Sequence, residues 1–153
     1  MNPKLLRLAV LLLLALMLAA CSGPQVRVDL STTANLNMSD EGNPLPVVVR
    51  VYQLSDSRDF LNASFEHLWK QDVQSLGDAA LTRQELMLNP GMTHELELRR
   101  NPEAEFVGVV AIFRAPEEDG WRALKTLPMG QMGRRMNQRV TVSLRGNSLT
   151  IVD

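Results

Sequence analysis

From Val26 onward apolar and polar residues alternate, with Val26, Val28 and Leu30 on one side and Arg27, Asp29 and Ser31 on the other. Successive side chains of an extended chain point to opposite faces, so this spacing predicts a half-buried strand. The run VVVRVYQL at Val47 to Leu54 is dense in β-branched residues and predicts a central strand. Shorter alternations predict strands at Gln84 to Leu88, Met92 to Leu98, Phe106 to Phe113, Trp121 to Leu127, Arg139 to Leu144 and Leu149 to Ile151. In the second of these Met92, His94, Leu96 and Leu98 are assigned to the core side. Asn89-Pro90-Gly91 has the order of a type II turn, and Asp119-Gly120 and Gly146-Asn147 each permit a tight hairpin.

Between the second and third strands the period changes. Phe65, Leu68, Trp69, Val73 and Leu76 recur at helical spacing, Ser64 is placed to cap, Glu66 and Lys70 form an i,i+4 pair, and Gly77 marks a stop. One helix from about Ser64 to Leu76 is expected, after a turn at Asp59 to Asn62, with Trp69 as a core anchor. Eight short strands and one helical insertion near 59–77 predict a mainly β protein, a two-sheet β-sandwich. The short separations leave little room for parallel crossovers.

The stretch ANLNMSDEGNPLP, Ala34 to Pro46, is crowded with turn residues and is long for a strand connection. Leu36, Met38 and Leu45 give it apolar side chains that a solvated loop does not need. Two readings are open for them: folding back onto the core, or forming part of a contact surface.

Ahead of the strands, Lys4 and Arg7 precede the apolar run Leu8 to Ala20, the pattern of a signal peptide over residues 1–20. The run is shorter than the roughly 20 residues a spanning helix needs. Leu18-Ala19-Ala20-Cys21 resembles a bacterial lipobox, which implies cleavage before Cys21 and its acylation. Ser22 in place of aspartate favours sorting to the outer membrane. Residues 21–25 then form a lipidated tether, and 26–153 a single periplasmic domain. Two of the 16 basic residues leave with the leader, so 14 face 17 acidic ones, a formal charge of −3 that does not suggest nucleic acid. With the single cysteine acylated, no disulfide is available.

Catalytic and metal-binding patterns are absent. His67 and His94 belong to no metal-ligand motif, and there is no G-x-S-x-G elbow, P-loop or dinucleotide fingerprint. No enzyme activity and no cofactor are expected. Asp40-Glu41 and Glu117-Glu118-Asp119 sit in turn-like stretches, where solvated turn residues explain them, although the first pair is also suited to a basic partner. In the stretch Met129 to Met136, three methionines suit Cu(I), and Gly130-Gln131-Met132-Gly133 before Arg134-Arg135 suits a phosphate or lipid head group. No His or Cys accompanies the methionines, and the stretch reads as a flexible strand connection.

Taken in order, these pieces resemble one family, the type VI secretion system outer-membrane lipoprotein, TssJ. The likeness is carried by the lipobox with Cys21, ANLNMSDEGNPLP leading into PVVVRVYQL, and FLNASFEHLWKQD at Phe60 to Asp72. It continues in the LNPG turn at Leu88 to Gly91 and in FVGVVAIFR at Phe106 to Arg114, followed by Trp121-Arg122. The resemblance implies a transthyretin-like sandwich and a scaffold on the periplasmic side of the outer membrane. It implies that the domain binds the periplasmic C-terminal region of TssM, an inner-membrane protein, and is linked indirectly to TssL. The loop between the first two strands is the implied contact, which falls on Asn35, Leu36, Asn37, Met38, Asp40, Glu41 and Asn43. The alternative is a periplasmic ligand-binding or chaperone-like lipoprotein using a sandwich edge or the Gly130 to Met136 stretch.

Overall fold

The computed structural model describes residues 3–19 and 23–152. Cys21 lies outside the described residues. A leading helix, α1 (Pro3–Ala19), is followed by β1 (Gln25–Thr32) and β2 (Val47–Leu54). Three short helices then form the insertion: α2 (Arg58–Asn62), α3 (Phe65–Lys70) and α4 (Asp72–Leu76), closed by a 3-10 turn at Gly77–Ala79. The remaining strands are β3 (Ala80–Leu88), β4 (Thr93–Arg99), β5 (Phe106–Ile112), β6 (Arg122–Thr126), β7 (Gln138–Arg145) and β8 (Ser148–Val152), with α5 (Gly130–Arg135) ahead of β7. Among the described residues no helix is long and apolar enough to cross a membrane.

The eight strands form two four-stranded sheets, ordered β4-β1-β7-β8 and β3-β2-β5-β6, an open sandwich and not a closed barrel. Val26, Val28 and Leu30 of β1 face Val49 and Val51 of β2 and Val107 and Val109 of β5 across one core. Both hairpins read from the sequence are present, β5 with β6 and β7 with β8, and both are antiparallel. The turn at Gly91, whose φ is +71°, instead carries the chain from one sheet to the other. One pairing departs from expectation: β1 and β7 are parallel, Val28 opposite Val140. No crossover helix is needed because the chain completes the second sheet between them.

The insertion covers the outer face of β2 and β5. Ser64 caps α3 by accepting from His67 N at 3.2 Å, and Glu66 meets Lys70 at 2.7 Å, both as the spacing predicted. The single long helix is not formed. Arg58–Asn62 is helical where a turn was expected, and Gln71 leaves helical geometry at φ −142°, which resets the phase of the apolar stripe. Leu68 of α3 and Leu76 of α4 reach the core, while Trp69, about 100° around α3 from Leu68, turns outward, 46% exposed. Trp69 is no core anchor; it lies against Phe65, 6.1 Å between centroids, under the Lys70 ammonium. His94 is likewise exposed, because β4 is an edge strand and the core side of its first residues opens to solvent.

Two features hold the insertion down. Phe60 is fully buried over Gly108, where a Cβ would stand 2.8 Å from its ring, so β5 has glycine at the point of contact. Beside it, the Asp72 carboxylate, 7% exposed, accepts from Tyr52 Oη at 2.7 Å and Arg83 Nε at 2.6 Å, with Arg50 Nη1 at 3.5 Å. Arg50 also donates to the carbonyls of Leu68 and Trp69, tying the end of α3 to the sheet. Burial alone would raise the Asp72 pKa, but the bonds from Arg83 and Tyr52 and the nearby guanidinium charges outweigh it and hold the carboxyl below its ordinary range.

Asp72→Asn is expected to lower stability by about 3 kcal/mol near neutral pH, because it leaves two arginines and a tyrosine around an uncharged group. A depressed folded-state pKa stabilises above the unfolded value near 4 and is lost as pH falls through the folded value. The gap between wild type and variant, read from denaturant melts, should therefore be constant from pH 7 to about 5 and shrink below about 4.

Candidate partner-binding site

The strand directions sort the connections by end. The β1–β2, β3–β4, β5–β6 and β7–β8 connections lie at one end of the sandwich, and the chain enters β1 at the other. Eight residues of β1 at about 3.3 Å each separate the entry from the long loop by about 26 Å.

The long loop is closely hydrogen-bonded. Leu45 N donates to Leu36 O at 3.0 Å, closing its neck. Within it Ser39 N donates to Asn43 O, Gly42 N to Ser39 O, and Asn43 N to Ser39 Oγ. These bonds make a compact turn at the tip, where Gly42 takes φ +79°. Below the tip sits Asn37, 5% exposed and at φ +47°, the one non-glycine residue with positive φ among those described. Asparagine tolerates this region better than most residues. Its Nδ2 donates to Pro46 O at 2.8 Å, its Oδ1 accepts from Arg114 N at 2.8 Å, and its own N donates to Gly146 O at 2.8 Å.

Arg114, just after β5, also grips the tip through both guanidinium nitrogens on the Asp40 carboxylate. The hydrogen bond and then the charge of Arg114 hold Asp40 below the usual carboxylate range, and the same contacts raise Arg114. Asp40 is thus already paired within the domain, which leaves Glu41 and the β5–β6 residues Glu117, Glu118 and Asp119 as the exposed acids of this end.

The seven expected contact residues divide. Leu36, 0% exposed, and Asn37 are packed into the domain and build the loop from beneath, so the structure resolves Leu36 in favour of folding back onto the core. Met38 is half-buried, and Asn35, Asp40, Glu41 and Asn43 are exposed. Asn35 Oδ1 accepts from Thr33 Oγ1 at 2.6 Å at the base of the loop. Arg114 and Gly146 were missed because each belongs to a hairpin distant in sequence, although the arginine ending an apolar strand is a visible signal.

Among the described residues no group of three or more His, Cys, Asp or Glu side chains is placed to hold a metal. Met129, Met132 and Met136 are exposed around α5, which forms where a flexible connection was expected.

The chain is a two-sheet sandwich that raises one hydrogen-bonded loop at the end opposite its N-terminal entry. Residues 24–147 match the family model described as type VI secretion lipoprotein (VasD, EvfM, TssJ), and the chain belongs to that family. The family is one of structural lipoproteins and not of enzymes. The chain is similar to the lipoprotein TssJ1 of Pseudomonas aeruginosa, with 25% identity and a TM-score of 0.75 over 85% of this chain and 95% of that one. It shares its fold with Serratia marcescens Lip, a membrane-bound component of the type VI secretion system, at 20% identity and a TM-score of 0.78 over 84% and 97% of the two chains. It is also similar, at 27% identity and a TM-score of 0.70 over 84% and 98%, to a chain of a structure described as the TssM C-terminal domain from EAEC. No curated protein sequence matches.

Asn37→Ala is expected to cost about 2–4 kcal/mol, from two lost buried hydrogen bonds and an alanine at positive φ. Asn37→Gly, which keeps the backbone, should cost less; an equal cost in denaturant melts would remove the positive-φ part of the account. Arg114→Ala should leave the melting temperature nearly unchanged and speed amide exchange at Gly42 and Asn43. The wild type should show the same loss of protection, taken relative to the intrinsic exchange rate at each pH, as pH falls through the lowered Asp40 pKa, and not above it.

Proposed function

We propose that this lipoprotein is a structural component of a type VI secretion membrane complex, held in the outer membrane by acylated Cys21. Its exposed β1–β2 loop docks on the periplasmic C-terminal region of TssM, through which it joins an assembly with TssL. The observation that carries the reading is the pairing of a rigid, hydrogen-bonded loop tip with a tether about 26 Å away at the opposite end of β1. Preorganisation lowers the ordering cost of docking, and a lipid anchor raises the effective concentration for a partner that reaches across the periplasm. Family membership and the likeness to a chain of the TssM C-terminal domain structure support the choice of partner. The contact surface is Met38, Asp40, Glu41 and Asn43 with Asn35 at its margin, standing on Leu36 and Asn37. Because the free carboxylates around it are Glu41 and those of Glu117 to Asp119, the facing TssM surface is basic.

Calorimetry of the domain with the C-terminal region of TssM tests this. Binding should weaken with added salt and be lost when residues 38–43 are replaced by a Gly-Ser linker in a domain that still melts cooperatively. Binding that survives the replacement would move the contact away from the loop. No binding by the native domain would favour the ligand-binding or chaperone-like reading. In cells, Cys21→Ser should release the protein from the outer-membrane fraction; retention there would contradict the anchor.

A further inference from the structure

The end of the sandwich where the chain enters carries a cavity of about 550 Å³. Arg99, Arg100, Arg134 and Arg135 line it, together with Pro24 and Thr82. Four guanidinium groups in one site call for counter-charge, and none is supplied by the domain: among the described residues no carboxylate forms an ion pair with any of the four. Glu103 and Glu105 occupy the same β4–β5 connection without doing so.

Arg100 is the centre of the site and is 3% exposed. Its two terminal nitrogens are fixed by the carbonyls of Gly133 and Pro128, each at 2.7 Å, which ties the α5 segment to the end of β4. Its Nε, however, is buried without a partner, and so is the Thr82 hydroxyl. Buried polar atoms in folded proteins are nearly always paired, so two orphans beside one arginine-lined cavity mark a place where the domain's own side chains leave positive and polar groups uncompensated. Burial and the neighbouring Arg134 charge both push the Arg100 pKa down, the sign of uncompensated positive charge. Arg99 and Arg135 make no side-chain hydrogen bond or ion pair with another described residue, and their forked donors are free.

The position selects the source of the counter-charge. Pro24 O accepts from Arg100 N at 2.8 Å, so the start of the domain is bonded to the wall of the site. The Arg99 guanidinium lies 3.7 Å from the place of a Cβ on Gly23. Cys21 is two residues before Gly23 and can stand no more than about 7 Å from it in extended chain. Resting on the reading that Cys21 is acylated, the cavity is held against the head-group layer.

We propose that this cavity binds the phosphate of an anionic phospholipid head group in the leaflet that holds the anchor. Phosphate oxygens suit the forked donors of Arg99 and Arg135, and their charge offsets that of the buried Arg100 guanidinium behind them. Occupancy would give the domain a second attachment beside its lipid, fixing the sandwich upright and the β1–β2 loop away from the membrane. A single point of attachment at the lipid does not fix that orientation.

The test uses the domain from residue 23 onward, which contains the whole core and corresponds to nearly the full solved chains of its relatives, so the anchor plays no part in the readout. The domain should sediment with phosphatidylcholine vesicles containing phosphatidylglycerol, not with phosphatidylcholine alone, and less as salt rises. Arg99→Gln with Arg135→Gln should weaken this about 30-fold, and a melt confirms that the variant is folded. Arg58→Gln with Arg145→Gln, an equal loss of charge at exposed positions elsewhere, should change it little. Equal loss in the two double variants, or no sedimentation by the native domain, would overturn the proposal. So would a melting temperature raised by inorganic phosphate with no binding to vesicles, which would assign the cavity to a soluble anion. None of these outcomes bears on Cys21, whose acylation is tested separately by the fractionation of Cys21→Ser.

Discussion

The loop end of this domain depends on how one side chain is satisfied. Asn37 sits at positive φ and bonds to the entry of β2 at Pro46, to the exit of β5 at Arg114 and, through its backbone, to the β7–β8 turn at Gly146. Those three points belong to both sheets, so the asparagine locks the sheets together at the place where the loop leaves them. Leu36, buried beside it, supplies the apolar footing. With the base fixed, the tip needs only Ser39, Gly42 and the Arg114–Asp40 contact to hold its shape.

The rest of the architecture divides labour between two ends and two outer faces. The insertion seals the outer face of β2 and β5 with Phe60 over Gly108 and with the Asp72 network. The other outer face is solvated and laced with cross-strand pairs such as Arg27 with Glu97 and Arg139 with Asp29. Exposed pairs of this kind add little stability but keep the edge strand β4 soluble. At the loop end the acids are Asp40, Glu41 and Glu117 to Asp119, and at the entry end Arg99, Arg100, Arg134 and Arg135 line one cavity.

Much of the fold was legible because its signals are local. All eight strands, the Ser64 cap, the Gly77 stop and both hairpins follow from period, turn chemistry and spacing. Trp69, His94 and the parallel β1–β7 pair were not legible, for physical reasons that differ. Trp69 is one residue on from the buried Leu68 in a helix of six residues, and the break at Gln71 that keeps α3 so short, free to settle on Leu68 alone, has no proline or glycine to announce it. His94 has the right parity, but parity says nothing of whether a strand is at an edge. The β1–β7 pair joins segments more than a hundred residues apart, where periodicity carries no information. The loop itself was visible from its length and composition, while the division of its residues between footing and surface depended on Asn37, whose partners are all distant in sequence.

The most direct measurement of the central claim is hydrogen–deuterium exchange of the domain with and without the C-terminal region of TssM. Added protection is expected only at the loop tip, residues 38–43, and at the neighbouring β5–β6 connection at 114–120. Protection centred instead on the insertion at 58–79 or on the edge strand β3, with the loop unchanged, would contradict it.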